Sequence, residues 1–501
     1  MVLINSFHYF PPRTKEMKDE KSELELEAEI EMKLSEPEVL LKNCFEKDSK
    51  EGMEEIAEFM VKEYHFKTIA GTKSERDRIY VYKDGVYVLG AERIIREFAQ
   101  RILEKLCSAY HTREIIEKIK CKTFVNEDIF ENTSKDLVCL NNGVLNIRTK
   151  EFGNHDPQWV FTTKIPIDYK PETDCPTIKK FFEETMFPEQ VAIAEELFGF
   201  CLFREYFIKK AMILLGPTDT GKTTFLKLLV AFVGKDNTSE ISLHQINRDR
   251  FASAFLKGNQ LNIFDDLSFV DIADVGGFKI ATGDGWVNGQ YKFGDYFKFM
   301  NFAKLVFATN QIPQPKLQSD NHDLAYYGRW IILDFGNVVN EDKRDPNLFA
   351  KLTTPEELSG LLNLALKGLD RLFANNKFSD PRNVLEIKAI MLNSGSNISS
   401  FAQTQLEEDP DGWIPKDDLY ATYVEYTQTL DEKQRWAASI NSVGRNLQKF
   451  ANYIVDGGLK YVRTESGSKR VRSWQNVSFT NPEKRQLNLE KQKVVNTLEL
   501  K

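Results

Sequence analysis

The chain has 501 residues, of which 42% are hydrophobic and 28% charged, and its formal net charge is −8. This composition is ordinary for a soluble globular protein, and the length suits about three domains of roughly 150 residues. No apolar run approaches the roughly 18 residues that span a bilayer, and the N-terminus lacks the basic segment and long apolar core of a secretory signal. The cysteines, Cys44, Cys107, Cys121, Cys139, Cys175 and Cys201, are scattered without a C-x-x-C pair. That argues against a zinc ribbon or a disulfide framework and fits a reducing interior, and without a spanning apolar run no membrane partner is expected.

Residues 1–50 carry eight Lys/Arg against twelve Asp/Glu and read as an acidic, poorly ordered N-terminal tail. Within it, residues 23–32 alternate strictly, a strand period carried by good helix formers, so their state stays open. Residues 51–205 read as an α+β and helical region. A helix is expected over 54–64 from the spacing of Ile56, Phe59, Met60 and Val61. A hairpin is expected over 78–89, split by Lys83-Asp84-Gly85, and a helix over 91–107. A second β segment starts at 137, with a turn at Asn141-Asn142-Gly143. A Pro-rich crossing at 165–176 precedes helix over 177–205, with Phe181, Phe182, Met186, Leu197 and Phe198 as core candidates.

Residues 206–395 carry the chemistry. An apolar run over 211–215 leads into Gly216-Pro217-Thr218-Asp219-Thr220-Gly221-Lys222-Thr223-Thr224. This is G-x-x-x-x-G-K-[ST], a strand feeding a phosphate loop, with helix expected over 225–233. Glycines let backbone N–H groups point inward at phosphate oxygens. Lys222 reaches the β- and γ-phosphates, the Thr223 hydroxyl ligands Mg²⁺, and the helix N-terminus faces the anion. The apolar string 261–264 then ends in Asp265-Asp266, as a Walker B element requires. Asp265 would hold the Mg²⁺ through water, and Asp266 would orient and polarise the attacking water. A buried strand over 304–309 ends in Asn310, which can hydrogen-bond the γ-phosphate or the lytic water. Arg329 stands just before the apolar strand 330–335, where it can project to a subunit edge and a neighbour's γ-phosphate. The plainer alternatives are a coincidental glycine loop, a strand end capped by acidic residues, the start of a turn, and a surface arginine.

These four pieces, in this order, resemble superfamily 3 helicases, and specifically the phage and plasmid primase–helicase family related to poxvirus D5. The diagnostic segment lies between Asp266 and Asn310. Phe278-Lys279-Ile-Ala-Thr282-Gly283-Asp284, followed by Tyr291-Lys292-Phe293 and Tyr296-Phe-Lys298-Phe299, is similar to the family's B′ motif. In that family B′ is a β-hairpin that projects into the channel of a hexameric ring. Gly294-Asp295 reads as its turn, Lys292 and Lys298 supply charge for phosphates, and Tyr291, Tyr296 and Phe293 supply faces for stacking. An ordinary surface hairpin is the alternative. By the same resemblance Lys279, like Arg329, acts across the subunit interface. Residues 60–210, with Leu140-Asn-Asn-Gly-Val-Leu145 and Leu197-Phe-Gly-Phe-Cys-Leu202, are similar to the D5 N-terminal region that precedes the ATPase.

The resemblance implies an α/β P-loop ATPase core of the AAA+ type, ATP and Mg²⁺ as cofactors, a homohexamer and 3′→5′ movement. It also implies residence on plasmid or viral DNA in the cytoplasm, with a separate primase or polymerase as a partner. No room precedes residue 60 for a primase domain, and there is no apolar-Asp-x-Asp pair or zinc-binding cysteine stem, so primase activity is not expected. Arg329 is followed by Trp330 where some relatives have two arginines.

Residues 341–395 read as a helical lid, and 393–400 as a loop and domain boundary. Residues 396–480 follow the pattern helix, helix, helix, hairpin. Helices are expected at 418–430 and 438–454, the second with Ile440, Val443, Leu447, Phe450 and Ala451 inward. β-rich runs at 460–464 and 470–479 are joined by Ser466-Gly467-Ser468. The arrangement resembles a winged helix-turn-helix. Between 433 and 485 there are eleven Lys/Arg and three Asp/Glu. Arg445 and Lys449, with Gln448, would face a DNA groove, and Lys469, Arg470 and Arg472 would meet phosphates from the wing. A basic face on a structural cap is the alternative. Residues 481–501 read as a polar, frayed tail. The leading expectation is an ATP-driven ring helicase. The alternatives are an ATP-switched DNA-binding replication initiator without processive unwinding, and an AAA-type remodeller of proteins.

Overall fold

The computed structural model describes residues 34–71, 76–130, 133–267, 272, 274–283, 285–292, 294–310, 312–313, 320–337, 345–395, 397–430, 440, 443–444, 447–448, 451, 453–464 and 467–492. The fold is mixed α/β, with a helix-rich N-terminal region and a parallel sheet further along the chain. Two compact units divide near residue 127, with residues 84–86 assigned to the second. No described helix is long and apolar enough to cross a membrane.

The first unit opens with α1 (Glu36–Lys47) and α2 (Ser49–Tyr64). From residue 34 the expected tail is therefore folded. Leu41 and Phe45 of α1 are buried in the core of this unit. The acidic count hid this helix, because Glu36 and Glu38 sit in its first turn, where the helix dipole favours carboxylates. Glu38 also accepts the Ser35 N–H at 2.9 Å, and Asp48 caps α2 by accepting from the N–H groups of Lys50 and Glu51. Strands β1 (Lys67–Ile69), β2 (Arg78–Lys83), β3 (Val86–Leu89) and β4 (Phe124–Val125) form a sheet in the order β3-β2-β1-β4. The helices α3 (Ala91–Leu103) and α4 (Ala109–Thr123) complete the unit, with Ile95, Ile102, Ile115 and Ile119 in the core beside Ile56 and Met60 of α2.

In the second unit, β5 (Leu137–Leu140), β6 (Gly143–Asn146) and β7 (Phe152–Gly153) make a small sheet. Then come α5 (Pro176–Thr185) and α6 (Pro188–Leu202). The central part runs β8 (Ala211–Leu215), α7 (Lys222–Val233), β9 (Thr238–Ser239), α8 (Leu243–Arg248), α9 (Arg250–Ser253), β10 (Leu261–Phe264) and α10 (Gly276–Ala281). It continues with β11 (Trp286–Gln290), β12 (Tyr296–Met300), β13 (Lys304–Thr309), α11 (Asp320–Tyr327) and β14 (Trp330–Asp334). Five of these strands form a sheet in the order β14-β8-β13-β10-β9, with every neighbouring pair parallel. A parallel sheet covered on both faces needs strands that are apolar throughout, and β13 is buried at all its positions. Helices α12 (Leu348–Leu352), α13 (Pro355–Asn375) and α14 (Val384–Gly395) follow.

The expected boundary at 205 is not a structural one. Phe182 and Phe198 of α5 and α6 share one core with Phe225 and Phe232 of α7 and with Leu361 and Leu369 of α13. Phe198 meets Phe225 and Phe232 edge-on at 5.6 and 5.1 Å. Helices α6 and α13 touch backbone to backbone. A Cβ on Gly199 would lie 2.3 Å from the Ala365 carbonyl oxygen, and one on Gly368 would lie 2.5 Å from that of Glu195. The fully buried Glu196 accepts from Arg371 at 3.2 Å and from the Ser379 N–H at 2.8 Å, so its charge is paired.

The expected loop at 393–400 is helical on both sides of residue 396. After α14 comes α15 (Asn397–Gln405), with Ile398, Phe401 and Ala402 buried. Then follow β15 (Leu406–Pro415), α16 (Lys416–Gln428), β16 (Val455–Thr464), β17 (Gly467–Phe479) and α17 (Pro482–Gln492). The three strands form an antiparallel sheet in the order β15-β17-β16. Strand β15 is invisible in the sequence because it holds Asp409-Pro410-Asp411-Gly412, which reads as a turn; an irregularity between Glu408 and Trp413 absorbs these residues. Between α16 and β16 the described residues 440, 443–444 and 447–448 are helical. Val443, Leu447 and Ala451 face the core as expected, whereas Ile440 is 41% exposed. Phe450 lies outside the described residues. Helix α17 corrects the expected tail as far as residue 492. Its Asn488 and Gln492 amides donate to the Trp413 carbonyl at 2.8 and 2.7 Å, and Lys491 pairs with Asp418 at 2.9 Å.

Candidate functional site

Strand β8, between β14 and β13 in the parallel sheet, delivers the chain to the glycine loop. Gly216 passes so close to the end of β14 that a Cβ there would lie 2.1 Å from the Phe335 carbonyl oxygen. Gly221 has φ 94° and stands at the N-cap of α7, a left-handed position that only glycine takes without strain. The Lys222 side chain is buried in the loop, and its ammonium donates to the carbonyls of Gly216, at 2.8 Å, and Pro217. The Thr220 hydroxyl donates to the Pro217 carbonyl at 3.0 Å, bracing the same turn.

The Thr223 hydroxyl donates to Asp265 at 2.7 Å. This bond joins the first turn of α7 to the end of β10. The other Asp265 oxygen accepts the Asp266 N–H at 2.9 Å. Asp266 itself has φ 53°, a conformation that costs a residue with a Cβ. Asn310 directly follows β13, and its amide reaches the Thr218 hydroxyl at 3.5 Å. One cleft of about 790 Å³ is lined by Thr218, Asp219, Thr220, Gly221, Lys222, Thr223, Thr224, Asp265, Asp266 and Asn310. The structure thus gathers the expected loop, the two strand-end carboxylates and the strand-end amide around one space. Among the described residues no three His, Cys, Asp or Glu side chains converge on a point.

Two walls of this cleft escaped the sequence reading. Helix α5 contributes Thr177, Lys180, Phe181, Glu184 and Thr185, and the start of the C-terminal helical segment contributes Asp345, Pro346, Leu348, Phe349 and Lys351. Neither carries a motif, and only the fold brings them to the loop. Lys351 hydrogen-bonds Asp345 at 2.6 Å and, with the Asn347 N–H, holds that carboxyl below the usual carboxylate range.

At the far end of the Asn310 strand lies Lys304, fully enclosed. Its ammonium donates to the carbonyls of Phe203, Glu205 and Phe302 at 2.9, 2.9 and 2.8 Å. It also lies 4.4 Å from the Phe200 ring centre and 4.9 Å from that of Tyr206. Burial pushes it down to about 7. This lysine fastens β13 to the turn that follows α6.

Arg329 and Lys279 do not line the cleft. Arg329 donates to the Lys279 carbonyl at 3.3 Å and to the Ala325 carbonyl at 3.4 Å. Phe278 stacks on Trp330 at 4.3 Å and 12°, so α10 and the start of β14 are held together.

The expected hairpin is present with a different register. β11 pairs with β12 through Trp286↔Met300, Asn288↔Lys298 and Gln290↔Tyr296. Tyr291, Lys292, Gly294 and Asp295 belong to the connection rather than to a strand; Phe293 lies outside the described residues. The first strand was hidden by Gly289, which is required because a Cβ there would meet the Phe297 ring at 2.8 Å. Tyr296 is 64% exposed and shares its face with Lys298 and with Trp286, which is 58% exposed and was not foreseen. The Arg250 guanidinium lies 4.9 Å from the Tyr296 ring centre.

In the C-terminal module Arg445 and Lys449 lie outside the described residues. Gln448 donates to the Ile454 carbonyl at 3.2 Å. Arg470 and Arg472 pair with Tyr461 and Leu459, while Lys469 pairs with Val462. The two-residue period of a strand therefore puts Lys469 on the opposite face from both arginines. All three are exposed.

Residues 42–187 match a family described as D5 N terminal like. The match begins inside α1, in the stretch that the sequence assigned to a tail. Residues 214–325 match a family of unknown function, DUF5906. That segment contains the glycine loop, both aspartates, the hairpin and Asn310, and stops short of Arg329. Solved structures similar to this chain include the A form apo structure of the NrS-1 C terminal region, 11% identical, covering 84% of this chain and 98% of that one with a TM-score of 0.45. The apo structure of the NrS-1 C terminal region (305-718) is 13% identical and covers 83% of this chain and 97% of that one, with a TM-score of 0.44.

Proposed function

We propose that this chain is an ATP-dependent replicative DNA helicase of a plasmid or virus, a homohexameric ring that moves on one strand and hydrolyses ATP at subunit interfaces. The Thr223–Asp265 hydrogen bond inside the loop cleft carries the reading. A phosphate-loop hydroxyl and a strand-end carboxylate are the protein's share of the Mg²⁺ site in nucleotide hydrolases. In this reading Lys222 neutralises the β- and γ-phosphates, Asp266 orients the attacking water, and Asn310 senses the γ-phosphate. Arg329 and Lys279 serve the nucleotide of a neighbour.

The exposed side of the hairpin, with Tyr296 and Lys298 on β12 and Lys292 in the connection, would hold the single strand. The order α15-β15-α16, a helical stretch, β16-β17, with its three-stranded antiparallel sheet, supports a winged helix-turn-helix whose Arg470 and Arg472 meet duplex phosphates. The match of 42–187 to the D5 N terminal like family supports the resemblance to D5-related helicases. A separate primase or polymerase would supply primers, and the site of action would be viral or plasmid DNA in the cytoplasm.

Strand displacement on a forked duplex, with and without ATP, tests the proposal alongside the mass of the assembly. Displacement lost in Asp266→Asn with ATP binding kept is the expected result. ATP binding without displacement, and without stimulation of turnover by DNA, would favour the ATP-switched initiator, to which the Arg470 and Arg472 face also lends itself.

A further inference from the structure

We infer that the part of the cleft walled by α5 and residues 345–351 is the nucleobase subsite, and that Phe349 is the ring on which the base stacks. The inference rests on the nucleotide-binding reading of the loop. A cleft of about 790 Å³ is larger than a triphosphate and a cation need and falls within the range of whole small-molecule sites. The loop, Asp265, Asp266 and Asn310 account for the phosphate end. The remaining lining has a different chemistry. Phe349 is 41% exposed although it lines a cleft, whereas Phe181, from α5, is packed into the core. Pro346 adds a second apolar surface beside it.

The polar groups here are two carboxylates, each beside a lysine, a mixture that suits a base or sugar. Asp345 is held anionic by Lys351 and the Asn347 N–H, and Glu184, 3.7 Å from Lys180, offers a second carboxylate. Carboxylates accept hydrogen bonds from exocyclic amino groups and ribose hydroxyls and disfavour anions. Both walls are fixed relative to each other. Glu357, on the helix that follows α12, accepts the N–H groups of Thr177 and Ile178 at 3.1 Å each and so pins the first turn of α5.

The test compares the binding of ATP with that of inorganic tripolyphosphate, both with Mg²⁺, to the full chain by calorimetry. Phe349→Ala is expected to weaken ATP about tenfold, the order of one base–aromatic stack, and to leave tripolyphosphate unchanged. Phe349→Trp is expected to keep ATP affinity, and Lys222→Ala to weaken both ligands. ATP binding by Phe349→Ala at wild-type strength overturns the subsite, as does an equal loss of both ligands. If the wild-type chain binds neither ligand, the nucleotide reading falls and takes this inference with it.

Discussion

The guanidinium of Arg329 donates to the main-chain carbonyl of Lys279 at 3.3 Å, and both residues stand outside the cleft that holds the glycine loop of their own chain. A pair so placed suits action on a neighbouring copy. Arg329→Ala is expected to cut ATP turnover by about 10³-fold while ATP still binds, the scale of a charge supplied to the transition state from outside. Mixing Arg329→Ala with Asp266→Asn subunits should restore part of the turnover, because some interfaces then combine an intact carboxylate with an intact arginine. No recovery on mixing would mean that Arg329 serves its own site. Lys279→Ala leaves the Arg329 contact in place, since that contact is to the backbone.

Thr223 and Asp265 make a second prediction. Thr223→Val removes the hydroxyl at constant volume and should lower ATP affinity about tenfold in Mg²⁺, with little change in EDTA. Thr223→Ser should behave as wild type. Equal loss with and without Mg²⁺ would show that the Thr223–Asp265 bond shapes the loop rather than serving a cation.

The hairpin can be tested through salt. Each lysine that meets a phosphate of a single strand contributes about 0.7 to the slope of log affinity against log salt. Lys298→Ala and Lys292→Ala should each lower that slope by about this amount. Tyr296→Ala and Trp286→Ala should weaken binding about tenfold at unchanged slope, as loss of a stacking face does. Wild-type slopes in both lysine variants would remove the hairpin from the DNA path.

Lys304 predicts a dependence on pH. Its burial pushes it down to about 7 from the ordinary 10.5. Between those values the unfolded chain binds the extra proton, so stability rises with pH, by up to about 1.4 kcal/mol per unit from this group, and is lowest below pH 7. Urea unfolding at pH 7, 8 and 9, compared with Lys304→Met, isolates the contribution. If the difference between the two proteins does not change with pH, the three carbonyls around the ammonium keep it charged.

What the sequence disclosed was local. The glycine loop, the apolar strand before it and Asp265 at the end of another are patterns within a few residues, and the chain folds them as the patterns imply. What it concealed depended on contacts between distant segments. Gly289 breaks the look of a strand, yet it is there to let Phe297 lie across it. Helix α17 buries Asn488 rather than an apolar stripe, so it resembles solvated chain. Residues 345–351 come to the loop only because α5 and α13 fold back on α7, and no spacing encodes that.

The close approach of α6 and α13 has a practical consequence. Gly199 and Gly368 let α6 and α13 press together over Phe198, Phe225 and Phe232. A gene fragment cut at residue 206 would strip the cover from those rings and yield a sticky, insoluble product. The compact unit that contains those rings begins near residue 128 and takes in residues 84–86 as well, so it starts well upstream of the first residue that touches the loop.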